Sequence, residues 1–445
     1  MIRRIICPVL KLALRIFFRR IEVGGLERVP KKSPVIFVLN HPNALVDPVF
    51  LLCLVPRRVS FLAKAPLFRM PVLGYLVRSL DSLPVYRKQD MADTARNRET
   101  FEQARELLAR GGTLAICPEG TSHSEPRLKP LKTGAARIAL GAASSGAALN
   151  LQIVPAGLYY TAKTTFRSSA LLYFGEPIKV EPVELEPDGE PPHKRVRALS
   201  AEVERALREV VLNAEHEEAL ALIARAERIF SSAAESSGEK RLARELELRR
   251  RFVEGYALLQ SRSPERLSAL VARLTRFEEE LKQVGLEADD LTVPKASGSE
   301  VVLNLLSRAL LFALLSPVAV AGIVVHYPAY KLAGYVATKF SRDAEDVIST
   351  VKIIAAMLLF PLTWLPAAFL LFRFAGWPIA LASLIVIPLA GYAAVRFFEK
   401  LDRFIGTLRA LTFFVTRSRF FKKLLVERRA IREEILALGE EAARA

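Results

Sequence analysis

Hydrophobic residues follow three successive patterns along this chain. Between residues 35 and 180, short apolar runs alternate with longer stretches in which apolar residues recur at helical spacing. Residues 195–292 are dense in Ala, Leu, Glu and Arg at helical spacing, and several long apolar runs follow residue 300. The patterns predict an α/β domain with a mostly parallel sheet, followed by an α-helical region and C-terminal transmembrane helices.

The first pattern predicts the strands and helices of the α/β domain. The predicted strands are 35–39, 59–63, 83–86, 113–117, 151–155 and 171–174. The predicted helices are 66–77, 90–110 and 134–145, the second of them ending at Gly111. Ligands of open α/β sheets bind at the carboxyl ends of the strands, so candidate chemistry is expected there.

Changes in composition predict five segments. These are an amphipathic basic helix at 1–24 that associates with the membrane, the α/β domain at 25–182, a helical region at 183–300, membrane segments at 301–398 and a basic helical tail at 399–445. A stretch rich in Pro and Glu at 177–192 marks the end of the α/β domain. The helical region is expected to form two or three amphipathic helices with a structural role.

Three apolar runs, at 309–325, 353–372 and 374–395, are long enough or nearly long enough to cross a bilayer. Only Arg373 separates the last two, which predicts a tight hairpin over 353–395. If the α/β domain and the basic tail both lie on the cytoplasmic side, the number of crossings must be even. The hairpin is therefore the expected crossing pair. The shorter run 309–325, which Pro317 interrupts, is expected to be re-entrant or interfacial, with a third span as the alternative.

Basic residues are concentrated at the two ends of the apolar parts of the chain. The net charge is +17, with six basic residues and no acid in the first twenty positions, and eleven basic against three acidic residues from 396 to 432. Clusters that border apolar segments favour anionic lipid headgroups as partners, and no nucleic-acid partner is expected. In the first helix Lys11, Arg15 and Arg19 form one stripe, which is typical of a helix lying in the membrane interface. A basic helix packed on the domain is the alternative.

The three cysteines, Cys7, Cys53 and Cys117, show no close spacing. Neither a disulfide framework nor a metal site is predicted, and no cofactor is expected. Reduced, cytosolic chemistry is therefore the default.

His41 and Asp47 follow directly after the predicted strand 35–39. They place an imidazole and a carboxylate within reach of each other at the carboxyl end of a buried strand. An alternative explains Asp47 structurally, because Asp followed by Pro48 is typical of a helix N-cap with proline at the first helical position.

Three further blocks lie at or near the ends of other predicted strands. Arg87 follows the strand 83–86, Glu119-Gly120-Thr121 follows Pro118, and Ile153-Val154-Pro155 lies at the end of the strand 151–155. Each block alone has an ordinary explanation as a solvated cation, a turn or a strand end. The presence of all three blocks, in this order after His41, is harder to explain by such ordinary features.

The four blocks together resemble the phospholipid/glycerol acyltransferase family over residues 25–180. That family esterifies glycerophosphate-type alcohols with the acyl group of a thioester. Its commonest pattern has four residues between His and Asp, whereas this chain has five. The variant is similar to the branch that contains the fungal-type glycerol-3-phosphate/dihydroxyacetone-phosphate acyltransferases and their bacterial relatives, which also carry membrane segments after the catalytic domain.

The resemblance implies a catalytic pair and a binding set. His41 would be the general base and Asp47 would orient its ring, since an alcohol is a poor nucleophile at neutral pH. Arg87 would bind the acceptor phosphate, and Glu119, Gly120 and Thr121 would bind the acceptor. Lys64, Lys129 and Lys132 are weaker binding candidates, for which a plain surface role is the alternative. Cys117 is expected to fill the core, and direct attack by the acceptor hydroxyl is expected instead of an acyl-enzyme.

The expected function is transfer of a fatty acyl group from acyl-CoA or acyl carrier protein to the hydroxyl of glycerol 3-phosphate or dihydroxyacetone phosphate. Acylation of 1-acylglycerol 3-phosphate is the alternative within the class. A non-catalytic lipid-binding scaffold and a thioester hydrolase are the alternatives outside it. The expected location is an integral membrane protein with its catalytic domain on the cytoplasmic face.

Overall fold

The computed structural model describes residues 2–125, 127–146, 150–212, 262–286, 298–341 and 344–444, together with positions 222, 225, 246, 256 and 260. The chain divides into two compact units. The first contains residues 1–213 and 337–353, and the second contains 214–336 and 354–445.

The first unit is built on one eight-stranded sheet. The strands are β1 (Arg20–Gly24), β2 (Val35–Leu39), β3 (Ser60–Lys64), β4 (Leu83–Val85), β5 (Thr113–Ile116), β6 (Gln152–Tyr160), β7 (Ser169–Phe174) and β8 (Ile178–Lys179). Their order is β1-β7-β6-β2-β5-β3-β4, with β8 paired to β6. β6 runs antiparallel to β7 and β8, and the other pairs are parallel. The predicted α/β domain with a mostly parallel sheet is confirmed.

Helices cover both faces of this sheet. They are α1 (Ile2–Phe17), α2 (Val46–Leu54), α3 (Ala65–Arg69), α4 (Pro71–Ser79), α5 (Asn97–Ala109), α6 (Gly134–Ser144) and α7 (His193–Val210). β2 is buried throughout and alternates between two cores. Val35, Phe37 and Leu39 pack against α1 and α2, whereas Ile36 and Val38 pack against α5, α6 and α7. A strand buried on both faces explains the continuous apolar run.

Several predicted boundaries differ from the structure. The basic helix predicted at 1–24 ends at Phe17, and Arg20–Gly24 is a strand. The helix predicted at 66–77 is two helices, because Met70 is extended before Pro71, as a residue preceding proline prefers to be. The helix predicted at 90–110 begins only at Asn97, after two short 3-10 turns. The strand predicted at 151–155 continues to Tyr160.

The first helix, α1, both packs on the domain and presents apolar side chains outward. Leu14 and Phe17 are buried in the core shared with α2. Ile5, Val9 and Leu12 are exposed, at positions that follow one side of a helix. The packing alternative therefore describes one face of α1, and an exposed apolar face remains on the same helix.

The second unit contains an amphipathic helix pair and most of three long apolar helices. The pair is α8 (Pro264–Gln283) and α12 (Ser418–Arg444), joined by buried apolar residues. Arg273 of α8 also pairs with Glu427 and Glu434 of α12, at 2.6 and 2.7 Å. Much of the predicted helical region between 213 and 261 lies outside the described residues.

The apolar helices are α9 (Gly298–Ser341), α10 (Glu345–Ala375) and α11 (Trp377–Thr416). All three are long and apolar enough to cross a membrane, which agrees with the predicted transmembrane helices. Pro317 lies inside α9 without ending it, and Arg373 lies inside α10. Gly376, at φ 81°, separates α10 from α11.

Candidate active site

The loop that carries His41 is fastened to the neighbouring strand by a side chain. Asn40 follows β2, and its side-chain amide makes the two hydrogen bonds that a backbone N–H and carbonyl would make in a sheet. Its Nδ2 donates to the Leu158 carbonyl at 3.0 Å, and its Oδ1 accepts from the Leu158 N–H at 2.8 Å. This extends the β2–β6 pairing by one residue and fixes the point from which His41 projects.

His41 and Asp47 form the pair that the sequence predicted. His41 Nδ1 and Asp47 Oδ2 are 2.8 Å apart. The Asp47 side chain is fully buried, and the His41 side chain is 19% exposed. Because the ionised carboxylate only accepts hydrogen bonds, it favours the tautomer with a proton on Nδ1. Nε2 then keeps a lone pair at the accessible edge of the ring.

Asp47 receives two more hydrogen bonds that hold its carboxylate in place. The Asn43 N–H donates to Oδ2 at 2.7 Å, and the Tyr160 hydroxyl donates to Oδ1 at 2.6 Å. The Tyr160 ring packs against Phe18 and Phe50. Burial, together with the charge of Asp47 and the hydrogen bond to it, holds the pKa of Tyr160 well above its usual range, so the phenol stays a donor.

Asp47 is not the N-cap of α2. The helix begins at Val46, its N-cap is Leu45, and Asp47 lies in the first turn. The carboxylate is bonded to the loop before the helix and to His41 and Tyr160. A carboxylate near a helix N-terminus is also stabilised by the helix dipole. The capping alternative therefore names the correct helix, but Asp47 lies in its first turn and not at its N-cap.

The block at Glu119 forms a tight turn after β5. The Gly120 N–H donates to the Cys117 carbonyl at 3.0 Å, and Gly120 adopts φ +73°, which favours glycine. The Glu119 carboxylate is buried, and its Oε2 accepts from the Lys129 N–H at 2.8 Å. Glu119 is thus directed inward, while the Lys129 ammonium pairs with Glu125.

His123 is a site residue that the sequence reasoning missed. Its Nε2 lies 2.5 Å from Glu119 Oε2, and its backbone N–H donates to the His41 carbonyl at 3.1 Å. His41, Glu119 and His123 line one small cavity, together with Asn40 and Arg127. Its only signal in the sequence is its position four residues after Glu119.

Arg87 connects the second block to the third. Its Nη1 donates to the Gly120 carbonyl at 2.8 Å, and its Nε and Nη2 bind the two carboxylate oxygens of Asp90 at 2.7 and 2.8 Å. These bonds, with the nearby charges of Arg87, Lys64 and Lys132, hold the pKa of Asp90 below its usual range. The guanidinium therefore holds the Gly120 turn.

The remaining predicted residues lie around these groups. Lys64 ends β3 and is exposed, as is Lys132. The Lys132 side chain passes beside Gly120, where a Cβ would collide with its ammonium. The Thr121 hydroxyl donates to the Ser122 carbonyl at 3.3 Å. Ile153 and Val154 are fully buried inside β6, so the fourth block lies in the sheet rather than at its end.

Cys117 directly follows β5 and precedes the turn that carries Glu119. Burial, with the charges of Asp47 and Glu119, raises the pKa of the Cys117 thiol well above its usual range. A thiol without thiolate character is a poor nucleophile. The chemistry of this residue therefore agrees with the expected structural role.

The first turns of α10 lie against the loops of this unit. The Ser122 hydroxyl donates to Asp346 Oδ2 at 2.5 Å, Ser349 donates to the Lys163 carbonyl, and Lys352 donates to the Thr164 carbonyl at 2.7 Å. Burial lowers the pKa of the Lys163 ammonium, while the charges of Glu345, Asp346 and Asp47 oppose that shift. The start of an apolar helix is thus attached beside the candidate site.

A buried carboxylate that orients an accessible imidazole at the carboxyl edge of a parallel sheet defines a site for proton transfer to or from a bound ligand. Comparison with known families gives the reaction class. The Acyltransferase family model matches residues 20–159, and the model of the Glycerol-3-phosphate acyltransferase 2 C-terminal domain matches residues 222–443. The chain belongs to this acyltransferase family and is an O-acyltransferase.

Individual relatives agree with this assignment. The chain is 25% identical to glycerol-3-phosphate O-acyltransferase 1 of Saccharomyces cerevisiae, over 94% of this chain and 68% of that protein. It is 23% identical to an uncharacterized acyltransferase of Schizosaccharomyces pombe, over 88% of this chain and 73% of that protein. A chloroplastic 1-acyl-sn-glycerol-3-phosphate acyltransferase of Arabidopsis thaliana is 29% identical, over 33% of this chain and 38% of that protein.

Proposed function

We propose that this acyltransferase moves a fatty acyl group from an acyl thioester to a hydroxyl of glycerol 3-phosphate. The observation that carries the reaction is the 2.8 Å contact of His41 Nδ1 with the fully buried Asp47. The acceptor is supported by the similarity to the yeast glycerol-3-phosphate O-acyltransferase, which extends over 94% of the chain. Dihydroxyacetone phosphate has the same reacting hydroxyl and is a second acceptor.

His41 Nε2 takes the proton of the acceptor hydroxyl as its oxygen attacks the thioester carbonyl carbon. The carbon–sulfur bond breaks, the thiolate leaves, and the proton on Nε2 passes to the leaving sulfur. The products are an ester and a free thiol. Asp47 stabilises the transient imidazolium through Nδ1, and Tyr160 and the Asn43 N–H keep Asp47 in position.

Acceptor binding is assigned to groups around the Gly120 turn. Arg87, Lys64 and Lys132 supply positive charge for the phosphate, and only Asp90 among the groups bonded to Arg87 is acidic. Glu119 and Thr121 supply polar atoms for the rest of the acceptor. Acyl-CoA and the acylated form of acyl carrier protein are both thioesters of the required kind, and either serves as donor.

The membrane receives the acylated product. The apolar helices α9, α10 and α11 associate the chain with a membrane. We assign the exposed Ile5, Val9 and Leu12 of α1, with the neighbouring basic residues, to the membrane interface. We place the α/β domain and the basic tail on the cytoplasmic side, which requires an even number of crossings, and α10 and α11 are the crossing pair.

Acylation of 1-acylglycerol 3-phosphate is the second candidate, supported by the similarity of 33% of the chain to the Arabidopsis thaliana enzyme. One experiment separates the candidates. Purified protein receives a labelled acyl thioester with glycerol 3-phosphate, dihydroxyacetone phosphate or 1-acylglycerol 3-phosphate in parallel. We expect kcat/KM to be higher with glycerol 3-phosphate than with 1-acylglycerol 3-phosphate. Preference for 1-acylglycerol 3-phosphate would reject the proposal, and no ester with any acceptor would favour the scaffold.

A further inference from the structure

The outer side of α3 and α4 carries a group of exposed apolar side chains. Met70, between the two helices, and Val72 and Tyr75 of α4 are 49%, 73% and 56% exposed. Val72 and Tyr75 are three residues apart and therefore lie on the same side of the helix. Single exposed apolar side chains are common on protein surfaces, whereas a group of neighbouring ones is typical of an interaction surface.

Tight packing between the two helices fixes this outer side. A Cβ on Gly74 of α4 would collide with the Phe68 carbonyl oxygen of α3. The Arg78 guanidinium donates to the same carbonyl at 2.6 Å, and the Gly74 N–H donates to the Met70 carbonyl at 2.7 Å. Val77 is buried on the inner side of α4. The exposed apolar side is therefore part of the folded domain and is held outward by its own packing.

This helix pair lies on the same face of the sheet as α1 and α2. Leu80, directly after α4, packs in the core that α1 and α2 share with the sheet. The connections from β2 to β3 and from β3 to β4 step across the sheet in the same direction, and right-handed crossovers place such connections on one face. The exposed apolar residues of α1 and of α4 are therefore on the same side of the domain.

The start of an apolar helix is attached to this same face. Lys352 is the last charged residue of α10 before Arg373, so the apolar part of the helix begins at Ile353. Ile353 itself packs against the core that contains Leu80. A helix long and apolar enough to cross a membrane thus begins its apolar part on the face that carries α1, α3 and α4. This favours a bilayer as the partner of the exposed side chains.

The charge of the helix pair also matches a bilayer surface. Residues 65–80 contain two basic residues, Arg69 and Arg78, and no acid. Both are exposed, and Arg78 follows Tyr75 by three residues, so it continues the stripe that Val72 begins. Tyrosine rings are enriched where hydrocarbon meets water, and arginines near that level attract anionic headgroups.

We propose that α3 and α4 form a second membrane-docking surface of the catalytic domain, whose partner is a bilayer that contains anionic phospholipids. Met70, Val72 and the ring of Tyr75 lie in the membrane interface. Arg69 and Arg78 bind the headgroups. The proposal depends on the membrane association of the chain and not on the identity of the acceptor.

The position of α3 gives this surface a consequence for the site. α3 begins directly after Lys64, the last residue of β3, and β3 is parallel to β5, which precedes Glu119. β5 is in turn parallel to β2, which precedes His41. The docking surface therefore starts at the edge of the sheet that carries the candidate active site, and docking holds that edge at the bilayer surface.

Photo-crosslinking of the full chain in vesicles tests the surface. The photoreactive residue p-benzoylphenylalanine replaces Val72 or Tyr75 in protein reconstituted with radiolabelled phosphatidylcholine and phosphatidylglycerol. We expect lipid adducts at both positions, with at least about fivefold more label than at Arg98. Arg98 is the matched control, because it is exposed on α5, which packs on the opposite face of the sheet. Leu358, exposed in the apolar part of α10, is the positive control.

Label at Leu358, with label at Val72 and Tyr75 no higher than at Arg98, would overturn the proposal. A crosslink between two copies of the chain in place of lipid adducts would overturn it as well, because the partner would then be protein. The readout does not need turnover, so a failure of the proposed function leaves this test unchanged.

The lipid composition tests the role of the arginines. Arg69→Gln should lower the label at Val72 about fivefold in the mixed vesicles and less than about twofold in phosphatidylcholine alone. Arg98→Gln is the matched control and should leave the label at Val72 unchanged in both. Label at Val72 that is equal in the two kinds of vesicle and insensitive to Arg69→Gln would contradict the assignment of anionic phospholipid as the partner.

Discussion

The Tyr160 hydroxyl donates to Asp47 Oδ1 at 2.6 Å, on the oxygen opposite the one that contacts His41. The two oxygens of one carboxylate thus have separate tasks. Tyr160 at the end of β6 and the Asn43 N–H in the loop before α2 hold the Asp47 carboxylate in place. The carboxylate in turn holds the His41 imidazole. The catalytic imidazole is therefore positioned by a strand that lies more than a hundred residues away in sequence.

Tyr160→Phe should lower kcat about tenfold while the KM for the thioester stays within twofold. The change removes one hydrogen bond to a buried carboxylate, worth about 1.5 to 3 kcal/mol, and leaves the ring packing against Phe18 and Phe50 intact. Steady-state kinetics of purified protein measures it. Tyr75→Phe, at an exposed position of α4, is the matched control and should behave as wild type. Unchanged kcat in Tyr160→Phe would remove Tyr160 from the mechanism.

Arg87→Lys should raise the KM for the phosphorylated acceptor at least about tenfold. The planar guanidinium of Arg87 makes two bonds to Asp90 and one to the Gly120 carbonyl. A lysine ammonium lacks this planar set of N–H donors and cannot make all three bonds at the same time. Titration of acceptor at a saturating thioester concentration measures the effect. Arg98→Lys, on the exposed side of α5, is the control. A wild-type KM in Arg87→Lys would take Arg87 out of the acceptor site.

Asp90→Asn should lose stability relative to wild type at neutral pH and much less in acid. Because the pKa of Asp90 is lower in the folded than in the unfolded protein, its ion pair stabilises the fold above about pH 4, near the ordinary Asp pKa. That stabilisation is lost as pH falls through the lower folded-state pKa. Thermal unfolding of both proteins at several pH values measures it. A stability difference that grows toward acid would contradict the assignment.

Cys117→Ala should keep at least half of the wild-type kcat. Burial keeps the Cys117 thiol protonated, and direct attack by the acceptor needs no protein nucleophile. Acid-quenched protein incubated with labelled thioester should carry no label. Labelled wild-type protein that loses its label in Cys117→Ala would show an acyl-enzyme and contradict direct attack.

The sequence predicted the parts of this site that depend on local patterns. β2 has its predicted limits, 35–39, because a strand buried on both faces is apolar along its whole length. His41 and Asp47 meet as expected, since both are carried by the short connection between β2 and α2. The polar β1, Arg20–Gly24, was not predicted, because it forms only by pairing with β7, far along the chain.

Other features depend on contacts that a linear pattern does not contain. Tyr160 reaches Asp47 because β6 continues five residues beyond its predicted end. Arg87 was expected to present its guanidinium to a phosphate, and its bidentate pairing with Asp90 depends on the turn after β4. His123 was overlooked because a single histidine in a polar loop carries no periodic signal. Its role depends on burial beside Glu119.

The rate of acyl transfer to glycerol 3-phosphate by His41→Asn tests directly whether His41 is the general base. The asparagine amide can still donate to Asp47 in place of Nδ1, but the base at Nε2 is gone. We predict a fall in kcat of about 10³ to 10⁶ fold, with a thermal unfolding midpoint close to that of wild type. A folded His41→Asn protein that keeps more than a tenth of the wild-type kcat would contradict the assignment of His41 as the general base.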